Sequence, residues 1–113
     1  AEVLAQPNAL VSLSGQGGQG AVVRRGDGTV LMAARLPGLA SGRVYQLWFL
    51  RGSDAPIPSD TFEVDDQGLA LITLTSDQQA LSADTFAVTE EPSGGSQAPT
   101  TAPILVGSVK VSG

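Results

Sequence analysis

The chain has 113 residues, contains neither cysteine nor histidine, and carries a net charge of −5 from six basic and eleven acidic side chains. This length fits one domain with a hydrophobic core of its own. The missing residue types exclude disulfides, thiolate nucleophiles, Cys-ligated metal centres and mechanisms that depend on imidazole, such as the Ser–His–Asp triad. Most enzyme classes are thereby excluded, and we predict no catalytic residue, cofactor-binding residue or metal ligand.

Charge pattern and hydropathy exclude two further classes. Arg24–Arg25 is the only adjacent basic pair in the sequence, so we expect no nucleic-acid binding, which requires a basic stripe. The longest near-apolar stretch, Val44 to Leu50, is much shorter than the roughly 20 residues of a membrane helix. We therefore expect a soluble acidic domain, or one soluble piece of a larger protein.

Strand-like segments follow one another along the chain. Alternating apolar residues and β-rich runs predict strands at residues 9–14, 20–25, 29–36, 44–50, 60–65, 69–75, 84–89 and 104–111. Asp27-Gly28 predicts a hairpin between the second and third strands, and Asp66-Gln67-Gly68 predicts one between the fifth and sixth. One short helix start is predicted at Ser76, with Gln79 in the capping-box position.

The spacing of the strands predicts the fold class. About eight strands at intervals of about ten to twelve residues indicate an all-β fold, an antiparallel β-sandwich, with a small barrel as the alternative. The strand from Val44 to Leu50 is apolar on both faces, so we expect it to be covered on both sides. Residues 1–8 are expected to be a leader or stalk, which the resemblance described below would make membrane-proximal, and residues 9–113 to be the domain.

Two local patterns resemble ligand sites but have simpler explanations. Residues 15–20 match G-x-G-x-x-G, yet a dinucleotide site needs a helix at the last glycine, and the residues that follow predict a strand. The segment is therefore interpreted as a flexible loop between strands. The acids Asp60, Glu63, Asp65 and Asp66 lack the spacing of a calcium loop. We interpret them as solvated strand ends and turn residues, with an adventitious cation at Asp65–Asp66 left open.

Two serines and the five aromatic residues were the remaining candidates for a site. Ser93 and Ser96 follow Glu90-Glu91, but no histidine can serve as their base, so a hydrolase that pairs either serine with a carboxylate is only a third hypothesis. Since Trp48 points away from Tyr45 and Phe49 on an alternating strand, the aromatic residues are predicted to pack in the core rather than form a platform for sugars or bases.

Two motifs occur together in the second half of the chain. The first is a Y-x-L-W strand, matched at Tyr45, Leu47 and Trp48. The second is an E-P-x-G-G-S-x-x-P-T segment, matched at Glu91, Pro92, Gly94, Gly95, Ser96, Pro99 and Thr100. Together with a closing apolar strand that contains a glycine, they resemble the C-terminal domain of the anti-sigma-K factor RskA family. The resemblance spans roughly residues 36–107, and the first 35 residues carry no motif of their own.

This resemblance implies a membrane-bound regulator. Members of the family hold an extracytoplasmic-function sigma factor with a cytoplasmic N-terminal segment, cross the membrane with one helix and place this domain outside, and proteolysis within the membrane frees the sigma factor. The resemblance thus implies a membrane tether upstream of Ala1 and a sigma factor bound only through the absent N-terminal segment. It also implies an unknown extracytoplasmic ligand or protein partner, no cofactor, and a structural or binding loop built from the ten motif residues.

Two hypotheses of different classes remain. The first is a non-enzymatic extracytoplasmic sensory domain of an anti-sigma factor, and it requires an apolar span of ~20 residues encoded upstream of Ala1. The alternative is a secreted β-sandwich module that binds or adheres to protein or carbohydrate, and it requires an exposed aromatic or apolar patch.

Overall fold

A computed structural model describes residues 9–15, 17–25, 29–75 and 83–108. These residues form eight β-strands: β1 (Ala9–Gly15), β2 (Gly18–Arg24), β3 (Thr29–Arg35), β4 (Arg43–Leu50), β5 (Ile57–Phe62), β6 (Leu69–Thr75), β7 (Thr85–Pro92) and β8 (Leu105–Ser108). They lie in one antiparallel sheet in the order β5-β4-β7-β8-β1-β2-β3-β6, nearly closed like a barrel. The predicted all-β, antiparallel fold of about eight strands is confirmed, and the single sheet corresponds to the small-barrel alternative.

The inner face of the sheet encloses one hydrophobic core. Because side chains alternate along a strand, each of the eight strands directs at least one apolar residue inward, and β4 contributes Tyr45, Leu47 and Phe49. Two aromatic contacts lie in this core, between Tyr45 and Phe62 and between Phe49 and Phe86. All five aromatic side chains of the chain are buried, as predicted.

The strand β4 is buried on its outer face as well. Val44, Gln46 and Trp48 point away from the core, yet none is more than 8% exposed. Gln46 is bonded to Ser96 of residues 93–104, which connect the neighbouring strands β7 and β8 by a long path over the sheet instead of a short hairpin. We call residues 93–104 the covering loop, and it accounts for the predicted double coverage of β4.

The glycine-rich segment is a tight hairpin and not the flexible loop that was expected. Gly15 pairs with Gly18, and β2 begins at Gly18, two residues earlier than predicted. A Cβ atom at Gly18 would lie 2.8 Å from the carbonyl oxygen of Arg35, and one at Gly20 would lie 2.8 Å from that of Ala33. The glycines therefore permit close contact between β2 and β3. The predicted pairing of these two strands is confirmed.

The fifth strand lies earlier in the chain than predicted. It covers Ile57–Phe62 and includes Pro58, which pairs with Trp48 beside an irregularity in the register. Proline is tolerated there because β5 is an end strand of the sheet and one side of it needs no ladder. The prolines before residue 60 account for the predicted start at that residue, three residues later than the observed one.

The prediction that β5 and β6 pair with each other as a hairpin is wrong. The turn itself forms, with the Gly68 amide donating to the Asp65 carbonyl at 2.9 Å and Gly68 at φ 83°. However, β5 pairs with β4 and β6 pairs with β3. Four other expectations lie outside the described residues: the leader at 1–8, the turn at Asp27-Gly28, the helix start at 76–81 and the end of the last strand beyond residue 108.

A substitution at Gly107 tests how tightly β8 packs between β1 and β7. A Cβ atom at this position would overlap the Ser12 carbonyl oxygen of β1, so we expect Gly107→Ala to lower the free energy of unfolding by about 1–3 kcal/mol. Gly38→Ala is the control, because nothing lies within 4 Å of the atom it adds. Urea unfolding of both variants measures the effect, and equal stability of the two would contradict this packing.

Candidate functional site

Glu91 is the one charged side chain that is buried within the part of the chain that the structure describes, and it is 0% exposed. It belongs to the second half of β7, which extends to Pro92 rather than ending near Thr89 as predicted. On the outer face of the sheet it lies opposite Val44 of β4 and beneath the covering loop. A carboxylate in such a place requires donors that replace water.

Three hydroxyl groups and one backbone amide supply these donors. Oε1 accepts from the Ser96 hydroxyl at 2.8 Å and from the Thr100 hydroxyl at 2.6 Å. Oε2 accepts from the Thr89 hydroxyl at 2.6 Å and from the Thr100 amide at 3.1 Å. Two of the three hydroxyls come from the covering loop, so the carboxylate fastens that loop to the sheet.

Trp48 joins the same network through Thr89. Its indole Nε1 donates to the Thr89 oxygen at 2.7 Å, and that hydroxyl in turn donates to Glu91. An indole N–H can only donate and a carboxylate can only accept, which fixes the direction of both bonds. The sole tryptophan of the chain is thus held in one orientation on the outer face.

Gln46 provides a second attachment for the covering loop. Its amide donates to the Ser96 carbonyl at 3.0 Å and accepts from the Ser96 amide at 2.8 Å. The loop reaches this position through a turn in which the Gly95 amide donates to the Pro92 carbonyl at 2.9 Å. Gly94 and Gly95 have φ of 96° and 83°, a region that favours glycine.

Hydrogen bonding decides the ionisation of Glu91. Burial alone raises the pKa of this carboxyl, but the bonds from Thr100, Thr89 and Ser96 favour the charged form and together hold its pKa below the usual value of 4.5. Glu91 is therefore a carboxylate at neutral pH. Its four donors stabilise the negative charge as charge-assisted hydrogen bonds.

The other predicted site residues lie apart from this network. Tyr45 and Leu47 are buried in the core on the inner face of β4. The Tyr45 hydroxyl donates to the Pro37 carbonyl at 2.6 Å, and burial, followed by the charge of Glu90, raises its pKa. Pro99 is exposed on the covering loop. The structure therefore brings together Trp48, Glu91, Ser96 and Thr100, with the turn at Pro92, Gly94 and Gly95 beside them.

The adjacent acids Glu90 and Glu91 do not act as a pair. Neighbouring side chains of a strand point to opposite faces, and Glu90 contacts Arg43 in a partly exposed ion pair of 3.0 Å instead. Its backbone carbonyl accepts the Thr101 hydroxyl at 2.8 Å, a third attachment of the covering loop.

Sequence reasoning missed Thr89 and Gln46 as site residues. A signal was present for both: Gln46 is the polar residue in a strand that is otherwise apolar, and Thr89 lies two positions before Glu91, on the same face. Their roles depend on the covering loop, which no periodicity of the strands reveals.

The geometry is that of a structural cluster and not of a catalytic one. Although Ser96 donates directly to Glu91, the carboxylate already accepts at least two bonds on each oxygen. A general base must accept a proton at working pH, and a lowered pKa disfavours that step. The cluster stabilises a fold; it offers no activated nucleophile.

Among the acids near residue 65, Asp65 has a structural role. One oxygen of Asp65 accepts the backbone amides of Gln67 and Leu69 at 2.8 and 2.9 Å, and these bonds lower its pKa, that from Leu69 most. No group of three or more acidic side chains in the described ranges is placed to hold a metal ion. Asp65 thus stabilises the turn before β6.

Comparison with known proteins assigns the family. The model of the family described as anti-sigma-K factor rskA, C-terminal, matches residues 1–104. The chain belongs to this family. Among curated proteins and solved structures no significant match was found. No helix among the described residues has the length and apolar character needed to cross a membrane.

The family match is wider than the motifs suggested. The RskA C-terminal model includes the first 35 residues, which carry no recognisable motif, and it ends at Ile104, just before β8. Strands β1 to β3 show only alternation and small residues, a pattern common to many β-proteins. The sequence motifs that indicate the family lie in and around the Glu91 network.

Removing the charge of Glu91 tests the network. Glu91→Gln turns an amide donor toward groups that are themselves donors, so we expect the free energy of unfolding to fall by about 1.5–3 kcal/mol. Glu63→Gln, at an exposed acid, is the matched control. Urea unfolding followed by the fluorescence of Trp48 measures both, and equal stability would refute a fastening role for the carboxylate.

Glu91 also predicts an acid dependence of stability. Because its pKa in the folded state is lower than the unfolded value of about 4.5, the unfolded chain binds more protons between these pH values. Stability from Glu91 is therefore complete above about pH 5 and is lost as the pH falls through the folded pKa. We expect a shallower decline in Glu91→Gln than in the wild type, whereas parallel pH profiles would contradict the assignment.

Proposed function

We propose that this chain is the regulatory domain of a membrane-bound anti-sigma factor, that it lies outside the cytoplasmic membrane and that it acts without catalysis. The observation that carries the proposal is the family match over residues 1–104. In this proposal a segment upstream of Ala1 holds the sigma factor, a membrane helix follows that segment, and the present domain governs when the sigma factor is released.

The mechanism we propose is control of proteolysis by folding. A protease attacks the open form of a domain, so the rate of cleavage follows the equilibrium population of that form when opening is fast. A loss of 1.4 kcal/mol in stability raises this population about tenfold. Glu91 joins the sheet to the covering loop through the hydroxyl groups of Ser96 and Thr100, so its network sets how often the outer layer opens.

The chemistry of the buried cluster supports a role without catalysis. The residue that most resembles a base, Glu91, is fully buried, bonded on both oxygens and lowered in pKa. The work of the domain would then be recognition of an extracytoplasmic ligand or protein, with the signal passed on through stability.

One observation favours a binding module as the second candidate. Leu69, Leu71 and Val106 are the large apolar side chains that are exposed within the described residues, and Leu71 is 73% exposed. A protein-binding surface is consistent with them. The carbohydrate version of this alternative lacks the aromatic platform it needs, because all five aromatic side chains are buried.

A reporter experiment with the full-length protein tests the proposal. We expect Glu91→Ala to raise transcription from a sigma-dependent promoter toward the level seen without the regulator, and to increase cleavage of the protein on immunoblots. Glu63→Ala should behave as the wild type. Alkaline phosphatase fused behind the domain, which is active only outside the cytoplasm, should be active. An inactive fusion, or unchanged transcription after deletion of the domain, would overturn the proposal.

A further inference from the structure

The two end strands of the sheet differ in how they are protected. The β5 edge contains Pro58 and Asp60 and lies beside an irregular register with β4. The β6 edge, with the sequence LALITLT, contains no charge and no proline and pairs regularly with β3 over all seven residues. Proline, charge and bulges are the means by which proteins prevent pairing at a sheet edge, and β6 uses none of them.

Backbone groups of β6 are available for a further strand. The Leu36 amide donates to the Gly68 carbonyl at 2.8 Å, which makes Arg35 and Leu69 a non-hydrogen-bonded pair of the β3–β6 ladder. By alternation, Leu71 and Thr73 direct their N–H and C=O groups away from β3. The backbone groups of Leu69 are already bonded to Asp65. On the side that Leu71 and Thr73 face, no described strand pairs with β6.

Two leucines on the outer face of β6, Leu69 and Leu71, are apolar and exposed. Leu71 lies in a row with Ala33, Ala21 and Ser12 of the adjacent strands. Because these neighbours are small, Leu71 projects above the face and is 73% exposed. A strand that continues the sheet would cover it on its open side.

We propose that β6 pairs antiparallel with β6 of a second copy of this chain, centred on Ile72. In this register Leu71 of one copy lies opposite Thr73 of the other, and both residues present their free backbone groups, which gives four intermolecular hydrogen bonds. Each pair also places the Leu71 side chain of one copy beside the Thr73 side chain of the other, at the distance of directly opposite residues in neighbouring strands.

A second copy of the chain fits this edge, because β6 is uncharged and its two residues with free backbone groups lie symmetrically about Ile72. The chain carries a net charge of −5, so two copies repel unless they meet through a neutral surface. β6 is such a surface, and the twofold pairing brings no like charges of β6 opposite one another. A seven-residue edge buries less area than a standard stable interface, so we expect a weak dimer, with a dissociation constant in the micromolar range or above.

Sedimentation of the 113-residue chain at increasing concentration tests this pairing. We expect a reversible monomer–dimer equilibrium, weakened at least tenfold in Leu71→Lys, which removes the exposed apolar contact and introduces charge. Val106→Lys is the matched control, since Val106 is also apolar and 41% exposed but lies on β8. Circular dichroism establishes that both variants are folded.

Amide hydrogen exchange measured by NMR tests the register. The amides of Leu71 and Thr73 should gain protection as concentration rises, whereas those of Ala70 and Ile72, directed toward β3, should be protected throughout. A monomer at about millimolar concentration, with both edge amides unprotected, would overturn the proposal and leave the edge to a different polypeptide. A dimer weakened by Val106→Lys but not by Leu71→Lys would overturn it as well.

Discussion

The outer layer of this domain depends on one buried carboxylate. Burial of an ionised side chain is unfavourable unless hydrogen bonds replace its water, and for Glu91 these bonds come from β7 and from the covering loop. The loop must therefore lie across the sheet for the charge to be tolerated. Once there, the loop also excludes water from Trp48 and Gln46. Ionic hydrogen bonding and apolar burial thus form one cooperative unit.

The existence of the strands could be predicted from the sequence, but their arrangement could not. Alternation of apolar residues is a local property, and it located most strands to within a few residues. Pairings such as β4 with β7 and β3 with β6 join distant segments. Turn residues report only that the chain reverses direction: the turn at Asp65–Gly68 forms as predicted, yet the strands on either side of it lie at opposite ends of the sheet.

The sequence motif contained some members of the Glu91 network but did not predict its geometry. The motif contained Glu91, Ser96 and Thr100, which the structure joins directly. It also contained Tyr45, which alternation places on the other face. Thr89 and Gln46 were missed because their polarity, although visible in the sequence, does not identify their partners. Whether such a residue is exposed or bonded depends on a loop of glycine, proline and serine, whose path is set by its contacts.

Because the sheet is nearly closed, its two end strands, β5 and β6, are the places where a further strand can add. A closed barrel has no edge, whereas here β5 and β6 stay unpaired with each other, and Ile57 and Ile72 on these strands are only partly buried. Proline and an acid occupy the β5 side, so the β6 side alone retains an uncharged, regular edge. Net negative charge opposes contact elsewhere on the surface. The domain can therefore be selective in its contacts, because its charge and its backbone restrict where a partner strand can add.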